Sequence, residues 1–201
     1  MDETLNSDVP PDDSGANRWL GFQIRSLRHA KGLSLQQLAA KASLSTGMIS
    51  QLERGRVSPS VRSLRLISQA LEVPPAYFFQ ESDLPPPEEI GVIVRSRSRR
   101  TLNLGTTGVA KQLLTPDTSG QLQLTLIRLQ PNGSSGDEAY THRGEDAGLV
   151  LSGTLRLWVD EHAYLLEAGD SFRFRSSSPH RFENPTQGIT EVLWAVTPPF
   201  Y

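Results

Sequence analysis

Residues 34–56, SLQQLAAKASLSTGMISQLERGR, read as two short helices joined by a tight turn. Ser34 and Gln37 form a capping box: the hydroxyl accepts an amide three residues on, and the glutamine reaches back. Leu35, Leu38, Ala39 and Ala42 recur at helical spacing and make one apolar stripe. Ser43 and Leu44 make the turn, and Ser45 caps the second helix. Met48, Ile49 and Leu52 turn inward. Thr46, Gly47, Ser50, Gln51 and Arg54 are left facing out.

That outward set is uncharged at the helix start and basic at its end. Glutamine bonds an adenine edge with both amide atoms, and serine or threonine bonds either base. Gly47 lets the backbone come close. Arg54 and Arg56 suit phosphates, which position a helix without reading sequence. With the cap residues included, the candidate DNA-binding residues are Gln37, Ser45, Thr46, Gly47, Ser50, Gln51, Arg54 and Arg56. The plain alternative is a helical hairpin with a polar face. Hairpin, caps and charge together favour DNA.

Charge is distributed in the same sense. The 201 residues carry a net −2, but residues 18–80 hold nine bases against two acids, a balance of +7. Residues 1–17 hold five acids and no base, 81–90 hold four acids, and 91–201 hold eleven of each sign. A local positive field fits a polyanion partner. There is no cysteine, hence no disulfide framework and no thiolate metal site. No apolar run approaches the ~20 residues that span a membrane. The N-terminus shows no apolar signal region, so the cytoplasm is the expected compartment.

Residues 1–16 are acidic and hold two prolines, which predicts a disordered tail. Asn17 is the expected cap of a first helix whose inward stripe is Leu20, Ile24 and Leu27. Ser58-Pro59-Ser60 starts a fourth helix, with Val61, Leu64, Ile67 and Leu71 as its buried face. Residues 74–79 read as a fifth, short helix. The stretch 81–90 carries three consecutive prolines and predicts a semi-rigid, extended linker.

From residue 91 the apolar period becomes two. GVIVRSRS, VAKQLLT, QLQLTLIRL, LVLSG, TLRLWVD, AYLLE, SFRFR, HRFEN and TEVLWAVT read as short strands parted by Gly and Pro turns, a sandwich or barrel pattern. Arg95, Arg97 and Arg99 alternate along the first and read as edge-strand protection. Arg128, in step with Leu122, Leu124 and Leu126, is placed inward, where it would meet an effector carboxylate; a register shift would turn it out. His162 is read as a hairpin-tip surface residue. Phe172, Phe174, Trp158 and Trp194 are read as packing. No serine elbow, Walker loop or dinucleotide fingerprint is present.

Residues 20–79, through LSLQQLAAKASLSTGMISQLERGRVSPSVRSLRLISQALEV, resemble the XRE type of lambda-repressor-like helix-turn-helix domain. Leu35 stands where many members carry Gln or Asn to bond a phosphate; leucine cannot make that bond. The stretches Gly136–Gly153 and Gly169–Asn184 resemble the two signature motifs of cupin barrels. They depart from the pattern at Gly144, where the second histidine usually stands.

The cupin resemblance implies that His142, Asp146 and His180 meet in one barrel mouth. Two imidazoles and a carboxylate suit zinc, iron or nickel. Glu145 is an alternative ligand, and either acid would also hold a cationic effector. The plain alternative keeps His180 as a turn cap and His142 on a backbone carbonyl. Candidate effector residues are Arg128, Tyr140, His142, Glu145 and His180.

The expected fold class is therefore α+β in two domains: a five-helix helix-turn-helix domain, then an all-β cupin, a double-stranded β-helix barrel. Expected bounds are 1–16 tail, 17–80 helical domain, 81–90 linker and 91–201 cupin, with its core at 120–197. This combination resembles XRE–cupin regulators, including the putrescine-utilisation-repressor type. It implies a non-enzymatic, homodimeric regulator of operator DNA whose cupin senses an amino acid, an amine or a similar metabolite. The alternative is a mononuclear metal enzyme resembling hydroxypropylphosphonic acid epoxidase, which joins a similar helical domain to a cupin. The +7 helical face favours the regulator.

Overall fold

The computed structural model describes residues 13–80, 85–116 and 120–199. The acidic tail expected over 1–16 lies almost wholly outside them. Where the description begins, the chain is already helical. Helix α1 spans Asp13–Ala30, α2 Leu35–Lys41, α3 Thr46–Glu53 and α4 Val61–Ala70. The caps form as the residue types dictate. Ser34 and Gln37 close both bonds of the capping box, and Ser45 and Ser60 accept from Met48 and Ser63.

Three expectations about the helices and linker are corrected. Asn17 does not cap α1 but sits within it, buried, and accepts a hydrogen bond from the Ser58 hydroxyl. The fifth helix is one 3-10 turn, Pro75–Phe78. The linker does not stay extended: Pro86 keeps φ −52° and ψ 145°, but Pro87–Glu89 close a 3-10 turn. A proline at the start of such a turn loses no bond, because its missing amide has no partner there.

Leu20, Ile24, Leu38, Ile49, Leu52 and Ile67 are buried together between the helices. Arg28 of α1 joins Glu53 of α3 through Nε–Oε1 at 2.6 Å and a second bond at 2.9 Å. Both side chains are more than nine-tenths buried, and Arg28 also bonds the Leu33 carbonyl. Removing one partner leaves a buried charge alone. Glu53→Ala is expected to lower unfolding free energy by about 3 kcal/mol, measured in urea.

Nine strands follow among the described residues: β1 Thr101–Leu104, β2 Val109–Leu113, β3 Gln123–Leu129, β4 Glu145–Ser152, β5 Thr154–Val159, β6 His162–Glu167, β7 Ser171–Arg175, β8 His180–Glu183 and β9 Thr190–Thr197. They pair antiparallel in two sheets, ordered β1-β2-β3-β9-β4-β7 and β6-β5-β8. Leu155, Leu157 and Phe182 of the small sheet share one core with Ile127, Val150, Val192 and Trp194 of the large one. The Phe182 and Trp194 rings lie 5.0 Å apart. The strands thus pair as two facing antiparallel sheets.

Residues 91–98 are not the expected strand. They form turns and a 3-10 segment, Ser96–Ser98, and Arg95 pairs with Glu89. Strand β1, which the sequence reading passed over, supplies the edge instead.

Helices and sheets are bonded to one another directly. The Val61 amide donates to the Ser135 carbonyl at 3.1 Å, and the Gln80 amide to Thr101 at 2.7 Å. Arg100 donates to the Ala76 carbonyl at 2.7 Å. Gly136, at φ +115°, passes so close to Ser60 that an added Cβ would lie 2.8 Å from the Ser60 Cβ. Only glycine lets the loop before β4 seat against the cap of α4.

Candidate functional site

The first candidate surface is the front of α3. Gln37, Ser45, Thr46, Gly47, Arg54 and Arg56 are exposed, and Ser50 and Gln51 are half-buried. A Cβ at Gly47 would meet no atom closer than 4.0 Å, so packing within the protein does not require the glycine. Gln37 Oε1 accepts from the Ser34 amide at 2.8 Å, and Ser45 Oγ from Met48 at 3.1 Å. Capping thus occupies an acceptor of each; the Gln37 amide hydrogens and the Ser45 hydroxyl hydrogen remain as donors. Leu35 is half-buried and packs against the core, the place its apolar side chain dictates.

The second candidate surface lies where the two sheets meet α4. Asp146, near the start of β4, is buried. Trp194 of β9 donates its indole N–H to Oδ1 at 2.6 Å. That bond turns Oδ2 toward two histidines: His142 Nε2 is 2.9 Å away and His180 Nε2 is 3.9 Å away. The three ligand-type atoms all lie within 4.8 Å of one another. Each imidazole has its Nδ1 on a backbone carbonyl, His142 on Arg143 at 3.1 Å and His180 on Ser178 at 2.8 Å. For His180 that bond places the ring proton on Nδ1 and leaves Nε2 as the lone-pair nitrogen, by inference from the partner, whereas His142 Nε2 faces the Asp146 carboxylate at hydrogen-bond distance. His180 Nε2 makes no hydrogen bond among the described residues.

Burial pushes His180 down to about 4, against the smaller upward pull of the Ser178 carbonyl and Asp146. His142 is lowered too, by burial first. Burial alone would raise Asp146, but the neighbouring His142, Ser176 and Trp194 side chains together hold it below the usual carboxylate range. Two imidazole nitrogens and one carboxylate oxygen therefore converge on one point. These are donors that suit a divalent metal, which would displace any proton held between His142 and Asp146.

Gly144 explains the missing second histidine. At φ +97°, a Cβ there would lie 2.2 Å from the Thr197 carbonyl oxygen. No side chain fits at 144 unless the end of β9 moves, so the set stays at two imidazoles and one carboxylate.

The site opens into a cavity of about 60 Å³. Asp146, His142, Tyr140, Trp194 and Lys111 line it from the sheets, and Val61, Leu64 and Arg65 from α4. Arg65 lies 5.4 Å over the Tyr140 ring and donates to the Thr141 carbonyl at 3.2 Å. Burial, then Asp146's charge, pushes the Tyr140 phenol up, so it stays protonated. Lys111 is pushed down to about 8, by burial first and then by Arg65.

Residues 24–78 match the helix-turn-helix family, and residues 125–196 match the cupin domain family. The chain thus carries a helix-turn-helix domain followed by a cupin domain. It is 27% identical over 178 residues to the HTH-type transcriptional regulator PuuR of Escherichia coli, covering 89% of this chain and 94% of PuuR. It is 26% identical over 167 residues to the HTH-type regulator SutR of the same organism, covering 83% and 88%. A Vibrio cholerae HTH_3 family regulator has the same fold at TM-score 0.65 and 24% identity, over 93% of this chain and 99% of that one.

Within this cupin, two residues expected at the effector site lie elsewhere. Arg128 is exposed on β3 and faces Glu191 at 3.8 Å. Thr125, Ile127 and Leu129 are the buried set of β3, so the inward register is one residue off the expected one and turns Arg128 out. Glu145 lies 3.5 Å from Arg173 and does not line the cavity. Successive residues of a strand face opposite sides, so placing Asp146 inward sends Glu145 outward. Tyr140, His142, Asp146 and His180 do converge. The sequence reading missed Arg65 and Lys111. Arg65 lies outside α4's apolar stripe, and Lys111 is one charge in an otherwise ordinary strand. Only the packing of α4 on the sheets brings them together.

Proposed function

We propose that this protein is a transcriptional regulator that binds operator DNA as a homodimer. A small molecule in the cupin cavity shifts its DNA affinity, and a divalent ion, zinc, iron or nickel, sits on His142, Asp146 and His180. The observation that carries the reading is the front of α3: mostly exposed, with Ser45 and Thr46 at its start, half-buried Ser50 and Gln51 further along, and Arg54 and Arg56 at and after its end. The similarity to PuuR and SutR over nearly the whole chain supports it. The balanced +7 of the helical region favours a regulator over a catalyst, which needs no phosphate-binding face. Such a regulator works in the cytoplasm; no described helix is long and apolar enough to cross a membrane. Edge strand β6, with Tyr164 48% and Leu165 59% exposed, offers a surface for a second copy.

Two copies on a two-fold axis read half-sites about one helical turn, ~34 Å, apart. Selection from a random duplex library at low salt tests this, and the expected product is an inverted repeat. Absence of any enriched repeat would end the regulator reading. Gln51→Ala is expected to relax discrimination at one base pair by about 1–3 kcal/mol. Arg54→Ala is expected to weaken all sequences alike and to lower the salt slope by about one. Electrophoretic titrations across a salt series separate the two effects.

A further inference from the structure

The cavity beside Asp146 is lined by cations from two different parts of the chain. Arg65 reaches it from α4, which follows the recognition helix. Lys111 reaches it from β2. The carboxylate that lines it, Asp146, is already engaged by Trp194 and His142. We propose that the cavity takes a small carboxylate anion, clamped between Arg65 of α4 and Lys111 of β2. The proposal rests on the effector reading of this same cavity and names the ligand's chemistry.

Charge argues first. Two cations brought to one partly dry cavity repel each other, and mutual repulsion is among the causes that lower the Lys111 amine. An anion between them reverses the sign of that interaction. A carboxylate offers two acceptor oxygens, which suit the planar guanidinium fork on one side and the ammonium on the other. An amine meets the opposite situation: two like charges, and an acid whose oxygens face the indole and the imidazoles.

Size and polarity argue next. One water needs roughly 10–15 Å³ of such space, so a cavity of about 60 Å³ takes only a few heavy atoms. Leu102, Ile127 and Val196 form an apolar wall suited to a short carbon chain. A larger cleft of about 970 Å³ lies outside, lined by Arg62 and Arg143. Arg65, Tyr140 and His142 line both spaces, so the route inward passes the arginine.

Position gives the anion its consequence. Arg65 belongs to α4, whose cap Ser60 lies against Gly136 and whose first amide bonds Ser135. An anion held by Arg65 and Lys111 is a further tie between helices and sheets. It stabilises the arrangement in which both cations face the cavity and disfavours any other.

The experiment is calorimetric titration of the chelator-treated full chain. The probes are acetate and propionate, their neutral counterparts acetamide and propionamide, and 1,4-diaminobutane. The carboxylates are expected to bind at least about tenfold tighter than the amides, and the diamine not at all. Arg65→Gln and Lys111→Gln are each expected to weaken the carboxylates about tenfold, with the melting temperature of each variant measured beside the titration. Arg65→Lys, which keeps the charge, serves if the glutamine variant unfolds, and is expected to lose less.

Equal binding of acids and amides overturns the anion, as does tighter binding of the diamine or no binding of any acid. Unchanged affinity in Arg65→Gln overturns the clamp and leaves an anion held by the sheets alone. Duplex selection is read on the same preparation. A protein that selects an inverted repeat but binds no carboxylate loses this inference and keeps the regulator reading. One that binds carboxylates and selects no DNA does the reverse.

Discussion

The chelator-treated protein is expected to gain about 3 kcal/mol of unfolding free energy between pH 4 and pH 6.5, and His180→Asn is expected to lose most of that gain. The imidazole falls from 6.5 to about 4 on folding because it is buried. Each unit of that fall is ~1.4 kcal/mol. In the window between the two values, the unfolded chain binds more protons than the folded one. Stability therefore rises with pH through the window, is complete above about 6.5, and is lost as pH falls toward 4. His142 is lowered by the same burial and adds in the same direction. Asparagine keeps a donor for the Ser178 carbonyl, which His180 Nδ1 meets at 2.8 Å, but has no titrating group. Urea midpoints at half-unit pH steps measure the effect. An unchanged profile in His180→Asn would show that the histidine is not held neutral in the folded state.

That expectation was only half visible in the sequence. The identities of His142, Asp146 and His180 followed from two motifs, and strand alternation made one of Glu145 and Asp146 the inward acid without saying which. Neither residue type nor spacing records the Trp194 indole 48 positions away, whose bond turns the carboxylate toward the rings. The helical half was more legible. Its caps and apolar stripe are local, set by residues three or four apart, and α2, α3 and α4 appear where those signals put them. The exceptions there are also physical. Asn17 reads as a cap by type, but a buried tie to Ser58 claims its side chain. The register of β3 was misjudged because Leu122, Leu124 and Leu126 alternate as convincingly as Thr125, Ile127 and Leu129. Contacts between distant strands choose between the two sets, with Arg128 opposite Glu191 across β3 and β9. Arg65 and Lys111, 46 positions apart in the numbering, share a cavity only through tertiary packing.

Two substitutions of Asp146 are expected to behave oppositely, and the contrast decides what the buried cluster is for. Asp146→Ala removes the shared oxygen and leaves the Trp194 indole without its acceptor. A stability loss of about 3 kcal/mol follows from that broken buried network. Divalent-ion affinity is expected to fall more than about 100-fold, beyond the ~10–100-fold that loss of an orienting partner costs. Asp146→Asn divides the two roles. Its carbonyl oxygen can still accept from Trp194, while its amide points at His142 Nε2, where the aspartate oxygen lies at 2.9 Å. If Nε2 is a bare lone pair, the amide N–H satisfies it, and the metal-free variant is as stable as the parent or more so. It also binds no ion, because an amide hydrogen occupies the point where the lone pairs met. If His142 instead carries a second proton and pairs with the carboxylate, the asparagine removes a buried counter-charge, and stability falls by about 3 kcal/mol. Elemental analysis with urea unfolding of the parent and the two variants reads both quantities. A stable, metal-free Asp146→Asn beside a metal-loaded parent identifies the cluster as a cation site. A destabilised one makes it a buried ion pair that braces the start of β4.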